Sequence, residues 1–151
     1  MKQQDFDEVV EHQHGEYLIS TDKRRLDVEM VHDYLCNESY WANGRSLPTV
    51  QKSIENALCF GLYHHQQQVG FARVVTDYAT FGWLCDVFIL EAHRGQGLSK
   101  RLVQSVVQHP ELMNMNRMIL ATGDAHELYS RYGNFQSLPN PGKWMIWGNI
   151  V

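Results

Sequence analysis

Apolar residues along this chain follow two periodicities, and each change from one to the other marks an element. Glu16-Tyr17-Leu18-Ile19-Ser20-Thr21 reads as a short strand. Thr21 or Asp22 can then cap a helix running through Asp33-Tyr34-Leu35, with Leu26, Met30, Val31, Tyr34 and Leu35 on its inner stripe. Pro48-Thr49 opens a second helix, Val50 to Leu58, with Val50, Ile54, Ala57 and Leu58 inward. Cys59-Phe60-Gly61-Leu62-Tyr63 and Val69 to Val75 are strands of a hairpin joined through His64 to Gln68. A turn at Asp77-Tyr78-Ala79 leads into a further strand, Trp83 to Leu90. Leu98, Leu102, Val103, Val106 and Val107 form one side of a helix that stops at His109-Pro110, because proline cannot extend it. Met118 to Thr122 is the next strand, and Asp124 to Tyr132 a short helix ended by Gly133-Asn134. Phe135 to Leu138 and Lys143 to Trp147 are expected to complete the sheet, separated by Pro139 and Pro141-Gly142.

This order predicts an α/β fold: a mixed, mostly antiparallel central sheet with about four flanking helices. The helix from Leu98 must return to a new strand, which requires a parallel β-α-β crossover. Residues 1–15 are polar and read as a tail, and residues 16–151 as one domain.

Composition narrows the classes. With 151 residues, 44% of them hydrophobic, the chain can bury one core. No apolar run approaches the roughly 20 residues that span a bilayer, and Met1-Lys2-Gln3-Gln4-Asp5 opens no signal or transit peptide, so the expectation is a cytoplasmic protein without a membrane partner. A net charge of -4 argues against a nucleic-acid surface. Cys36, Cys59 and Cys85 each lie in an apolar segment and read as buried thiols. Eight histidines include the pairs His12/His14 and His64/His65, but no ligand spacing points to a metal, and none is expected.

The candidate chemistry sits between the strand at Trp83 and the helix at Leu98. Gly95 and Gly97 carry no side chain, so backbone N–H groups from about Gly95 to Lys100 can turn toward one anion as the helix begins. The helix dipole adds positive potential, and Arg94, Lys100 and Arg101 add charge. A pyrophosphate fits that description. A P-loop would need Gly-Lys-Ser/Thr where Gly97-Leu98-Ser99 stands, and the dinucleotide fingerprint a third small residue where Lys100 stands. Arg94-Gly95-Gln96-Gly97-Leu98-Ser99 instead resembles the Arg/Gln-x-x-Gly-x-Gly/Ala loop of the GNAT family of N-acetyltransferases, with Ser99 in the last position. A second stretch, Thr122 to Gly133, is similar to the family segment Asn-x-x-Ala-x-x-Leu-Tyr-x-x-x-Gly-Phe. Ala125, Leu128, Tyr129 and Gly133 match in register; Thr122 replaces the asparagine, and Asn134 intervenes before Phe135.

The resemblance implies the GNAT fold over about residues 16 to 148, and acetyl-coenzyme A as cosubstrate. It implies cofactor contacts from Val87, Phe88 and Ile89, whose backbone would pair with the pantetheine arm, and from Arg94, Gly95, Gln96, Gly97, Leu98, Ser99, Lys100 and Thr122. Tyr129 would protonate the departing thiolate. Asp86, on the strand before the loop, is the first candidate for the base that deprotonates the acceptor amine, and could instead be a structural carboxylate. Glu91, His93 and His126 are further candidates for that base. Tyr40 and Trp41 stand in a long loop, Asn37 to Pro48, where they would line an acceptor pocket or pack on the core. The expected activity is direct acetyl transfer to a primary amine of a small molecule. The rivals are an acyl-coenzyme A sensor without catalysis and a protein N-acetyltransferase. A homodimer through a terminal strand bearing Trp144 and Trp147 stays open beside plain core packing.

Overall fold

The computed structural model describes residues 8–149. Six strands form one sheet in chain order: β1 (Glu11–His14), β2 (Tyr17–Ser20), β3 (Leu58–His64), β4 (Gln67–Thr76), β5 (Gly82–Ile89) and β6 (Met118–Ile119). Neighbours are antiparallel except β5 and β6, which are parallel. The helices are α1 (Val28–Asp33), α2 (Leu47–Glu55), α3 (Leu98–Val107) and α4 (His126–Gly133). The mixed sheet, the four helices and the crossover through α3 agree with the fold expected from the sequence.

β3 and β4 are buried on both faces, which is why they read as nearly continuous apolar runs. Phe60, Leu62, Val69, Ala72, Val74 and Leu84 pack with Leu98, Leu102, Val103 and Val106 of α3. Cys59, Phe71 and Phe88 pack on the other face with Val31, Val50 and Ile54 of α1 and α2. The sheet is therefore the middle of three layers.

Four local expectations are corrected. Residues 11–14, assigned to the polar tail, form β1 and pair in register with β2, Glu11 opposite Ser20; residues 1–7 of that tail lie outside the described residues. The first predicted helix breaks into a 3-10 turn (Lys23–Arg25), α1, and a π turn (Tyr34–Glu38). Two aspartates divide it: Asp22 accepts from the Arg24 N–H and Asp27 from the Met30 N–H, each a local cap that competes with a continuous helix. The second helix begins earlier, at Leu47, because Ser46 accepts from the Thr49 N–H. The two strands expected at Phe135–Leu138 and Lys143–Trp147 are not paired into the sheet; only a 3-10 turn at Pro141–Lys143 interrupts that stretch.

Candidate active site

β5 and β6 meet only at Gly82 opposite Met118 and Trp83 opposite Ile119. Beyond Trp83 the two strands part, so among the described residues the β6-facing edge of Leu84 to Ile89 has no strand partner. An open strand edge can accept an extended chain through backbone hydrogen bonds. The divergence coincides with a β-bulge: Phe71 faces Phe88 and Arg73 faces Cys85, leaving Asp86 and Val87 opposite Ala72 alone. Asp86 takes a left-handed φ of 54°, uncommon for a residue with a Cβ.

Around that edge the predicted residues divide by what they can offer. Phe88 is buried and stacks on Tyr34 with centroids 3.9 Å apart. Ile89 is buried and Val87 half-buried against the α3 layer. A ligand at this stretch meets backbone rather than these side chains.

The loop from Arg94 opens α3. Gly95 and Gly97 adopt φ of 81° and 76°, which glycine supplies without strain. Gly97 caps α3 with no side-chain hydrogen bond, so the N–H groups of the first turn stay available to an anion. Leu98 is buried in the core and can contribute only its backbone, while Ser99 is half-buried. Arg94 turns back: its Nε donates to the Ile89 carbonyl at 2.9 Å and its Nη2 to the Tyr34 hydroxyl at 3.1 Å. It thus ties the loop to the end of β5. The Gln96 amide donates to Tyr17 Oη at 3.2 Å, and the Tyr17 hydroxyl lies 2.9 Å from His93 Nδ1. Lys100 sits with Nζ 5.1 Å from the Tyr132 ring centroid, joining α3 to α4.

Tyr40 and Trp41 cross from the loop after α1 toward β5 and β6. Their rings meet edge to face, 5.0 Å apart. The Tyr40 hydroxyl accepts from the Gly123 N–H at 3.0 Å, and a Cβ built on Gly123 would approach that oxygen to 3.2 Å. Trp41 Nε1 donates to Asp86 Oδ1 at 3.0 Å. The other oxygen of Asp86 accepts from Arg45 Nη1 at 2.8 Å and Arg73 Nε at 2.9 Å. The carboxylate is buried and neutralised by two guanidinium groups, which lets a charge survive in the core.

Tyr129 is buried in α4, and burial pushes its phenol up to about 12; Tyr40 and Asp124 act in the same direction, which places the hydroxyl within their influence. No described residue hydrogen-bonds that hydroxyl. Thr122 faces local duty, its Oγ1 accepting from the Ala125 N–H ahead of α4. His126 begins α4 and, with Thr122 and Tyr129, lines a groove beside β6. Elsewhere, Glu16, His64 and His65 bring potential ligand atoms within 4.8 Å of one another; there His64 Nε2 lies 3.1 Å from the Glu16 carboxylate.

The structure therefore gathers the strand edge, the glycine loop, Tyr40, Trp41, Asp86 and Tyr129 around the parting of β5 and β6. Sequence reasoning did not single out Tyr34, Arg45 or Arg73. Arg73 carried a signal: an arginine inside the apolar run Val69 to Val75 must find an anion if that strand is central. Tyr34 and Arg45 carried none.

Comparison with known proteins adds independent findings. Residues 28–133 match the family described as Acetyltransferase (GNAT) family. The sequence is 28% identical over 137 residues to a protein of Gibberella zeae named as an acetyltransferase, covering 78% of this chain and 77% of that one. A crystal structure from Xanthomonas campestris, described as an acetyltransferase of the GNAT family, is 42% identical, covers 91% of this chain and 94% of its own, and superposes with a TM-score of 0.83. An acetyltransferase from Clostridium acetobutylicum, solved with acetyl-CoA, shares the fold alone at 14% identity, with 80% and 86% coverage and a TM-score of 0.60.

Proposed function

The chain belongs to the acetyltransferase (GNAT) family, and on that premise we propose that it moves the acetyl group of acetyl-coenzyme A directly onto a primary amine of a small-molecule acceptor. The observation that carries this reading is the joint opening of the β5 edge and the uncapped N-terminus of α3. A pantetheine amide chain needs a strand edge, and a pyrophosphate needs free N–H groups under a positive dipole. Both lie on one segment, Leu84 to Lys100, and Arg94 holds its two halves together through Ile89.

In this reading the amine nitrogen bonds to the thioester carbonyl carbon, the C–S bond breaks, and the sulfur leaves with the electron pair. Tyr129 donates the proton that converts that thiolate to a thiol. A phenol pushed up to about 12 is fully protonated at neutral pH. It gives up that proton only as negative charge develops on the departing sulfur.

The role proposed for Asp86 is positioning. Its oxygens already accept from Trp41, Arg45 and Arg73, so the side chain is spent on holding the acceptor-side loop. The hydrogen bond from Gly123 to Tyr40 ties the acceptor-side loop to the stretch ahead of α4, which supports a compact amine as the acceptor. The acceptor ammonium loses one proton to water or to a neighbouring group such as His126 before it attacks, and the second proton, shed as the amide forms, restores the Tyr129 phenol through water. A cytoplasmic setting belongs to the same reading.

The test is titration with coenzyme A and acetyl-coenzyme A, followed by thiol release against polyamines, amino acids and aminoglycosides. Tyr129→Phe is expected to lower kcat by roughly 10²–10⁴-fold, the usual worth of a positioned proton donor, with coenzyme A affinity within about twofold. A wild-type chain that binds no coenzyme A sinks the proposal.

A further inference from the structure

Two hairpin tips meet at one end of the sheet. β1 and β2 turn through Gly15-Glu16, since His14 pairs with Tyr17, and β3 and β4 turn through His65-Gln66, since His64 pairs with Gln67. Tyr17 lies opposite His64, so the pairing of β2 with β3 sets Glu16 of the first tip beside His64 and His65 of the second. His64 Nε2 lies 3.1 Å from the Glu16 carboxylate, and one ligand atom from each of Glu16, His64 and His65 falls within 4.8 Å of the others.

Successive strand residues face opposite sides of a sheet, yet the His64 and His65 rings lie 4.3 Å apart, centroid to centroid. A left-handed φ of 56° at His65 swings the second ring round to the first. Two-residue turns ordinarily place glycine, asparagine or aspartate in that conformation. Here it holds a side chain with a ligand nitrogen.

Two imidazoles and one carboxylate are a donor set for a zinc-like cation. Zinc takes such ligands at about 2.0–2.2 Å in a tetrahedron, which sets the ligand atoms about 3.3 Å from one another. The edge from His64 to Glu16 is already close to that length, and Glu16 and His65 are exposed side chains that can rotate to bring in the third atom. Water completes the shell. Calcium and magnesium prefer oxygen ligands, so the two nitrogens select against them. Spacing along the sequence hides the set, because Glu16 and His64 are 48 residues apart.

The cluster also touches the glycine loop. The His64 ring lies 4.8 Å from that of Tyr17 and 5.3 Å from that of His93. The Tyr17 hydroxyl is 2.9 Å from His93 Nδ1 and accepts from the Gln96 amide at 3.2 Å.

We propose that Glu16, His64 and His65 bind a zinc ion, and that the bound ion, by fixing the His64 ring against Tyr17 and His93, steadies the loop at Gln96 and tightens acetyl-coenzyme A binding. The second half rests on the cofactor reading above. Linkage makes the effect mutual: acetyl-coenzyme A tightens zinc by the same factor.

Isothermal titration of the full, untagged chain with zinc chloride, at about pH 7.5 where imidazole is largely neutral, should show one ion per chain, and magnesium chloride should show none. His65→Ala and Glu16→Gln should each weaken zinc roughly 10–100-fold, whereas His12→Ala, on β1, should leave it unchanged. Acetyl-coenzyme A is the cofactor probe, because its acylated sulfur does not compete for zinc. Its affinity should rise about fivefold at saturating zinc, and Tyr17→Phe should abolish that rise while zinc still binds. Absence of zinc binding overturns the site, as does binding that survives both His65→Ala and Glu16→Gln. Equal acetyl-coenzyme A affinity with and without zinc overturns the coupling. A chain that takes zinc through these three residues but binds no acetyl-coenzyme A upholds the metal site and removes the coupling together with the enzymatic reading.

Discussion

Asp86 shows how far a single position can be read. Alternation along the strand puts its side chain on one face with Phe88, and that much is visible in spacing. Its partners are not, because Trp41, Arg45 and Arg73 come from two other segments. Removing the carboxylate strands two guanidinium groups in a buried setting, so Asp86→Ala should destabilise the fold by roughly 3–5 kcal/mol. Asp86→Asn keeps one acceptor oxygen but turns an NH2 toward a donor and leaves the two guanidinium charges uncompensated, so it should cost less stability than alanine without being neutral; it should raise the acceptor KM more than it lowers coenzyme A affinity, with a shift in Trp41 fluorescence. Equal loss of both affinities would count against a positioning role. Of the three cysteines expected to be buried only Cys59 is, Cys36 and Cys85 being half-buried, and two of these thiols offer a second residue-scale prediction. Cys59 and Cys85 are pushed up to about 12 by burial, above the about 8.5 of an unfolded thiol. The folded state holds these protons more firmly, so their stabilising contribution is complete below about pH 8.5 and is lost as pH rises toward 12. The urea midpoint should stay level from pH 7 to about 8.5, then fall, and Cys85→Ala should flatten that fall; a midpoint unchanged up to about pH 10.5 would refute this account.

At the scale of elements, the start and stop of α3 were legible, while the starts of α1, α2 and α4 and the pairing of the terminal strands were not. The glycine loop, the apolar stripe of α3 and its stop before Pro110 are all local chemistry, and the structure places α3 at Leu98–Val107. The same local chemistry cut short the first predicted helix, where Asp22 and Asp27 each cap their own turn. Gly97→Ala tests the loop. The new Cβ has room, with Lys100 Cδ 3.8 Å away, but the φ of 76° does not suit it. The strain should cost about 1–2 kcal/mol of stability and weaken coenzyme A binding by about tenfold through displaced N–H groups. An alanine variant with unchanged affinity would show that the first turn of α3 does not meet the pyrophosphate. Ser46→Ala, which removes only the cap of α2, should cost about 1 kcal/mol and leave coenzyme A affinity alone, giving the control for general destabilisation.

For the whole molecule, the three layers tie the proposed cofactor cleft to the core: α3 packs on the face of the sheet through Leu98, Leu102, Val103 and Val106, and Arg94, just ahead of it, is bonded to the Ile89 carbonyl at the end of β5. A ligand that joins the strand edge to the helix start should therefore stabilise the entire cooperative unit. At one hundred times its Kd, coenzyme A should add about 2.7 kcal/mol, which for a domain of this size raises Tm by roughly 5–10 °C. Calorimetry with and without coenzyme A checks this, and no shift at saturation would mean the ligand binds away from the core layers.

The sequence by itself determined the order and type of most elements and the place of the glycine loop, because periodicity, caps and glycine positions act over a few residues; Tyr129 is marked by the resemblance to the family alone, and its proton-donor role is a proposal. Tertiary structure alone decided the rest. It made residues 11–14 an edge strand, left residues 144–147 outside the sheet, turned Arg94 back onto Ile89, and clamped Asp86 between Arg45 and Arg73. Each of these depends on groups far apart along the chain. Strand pairing, burial and charge compensation are properties of who becomes a neighbour, and spacing along a chain does not record them.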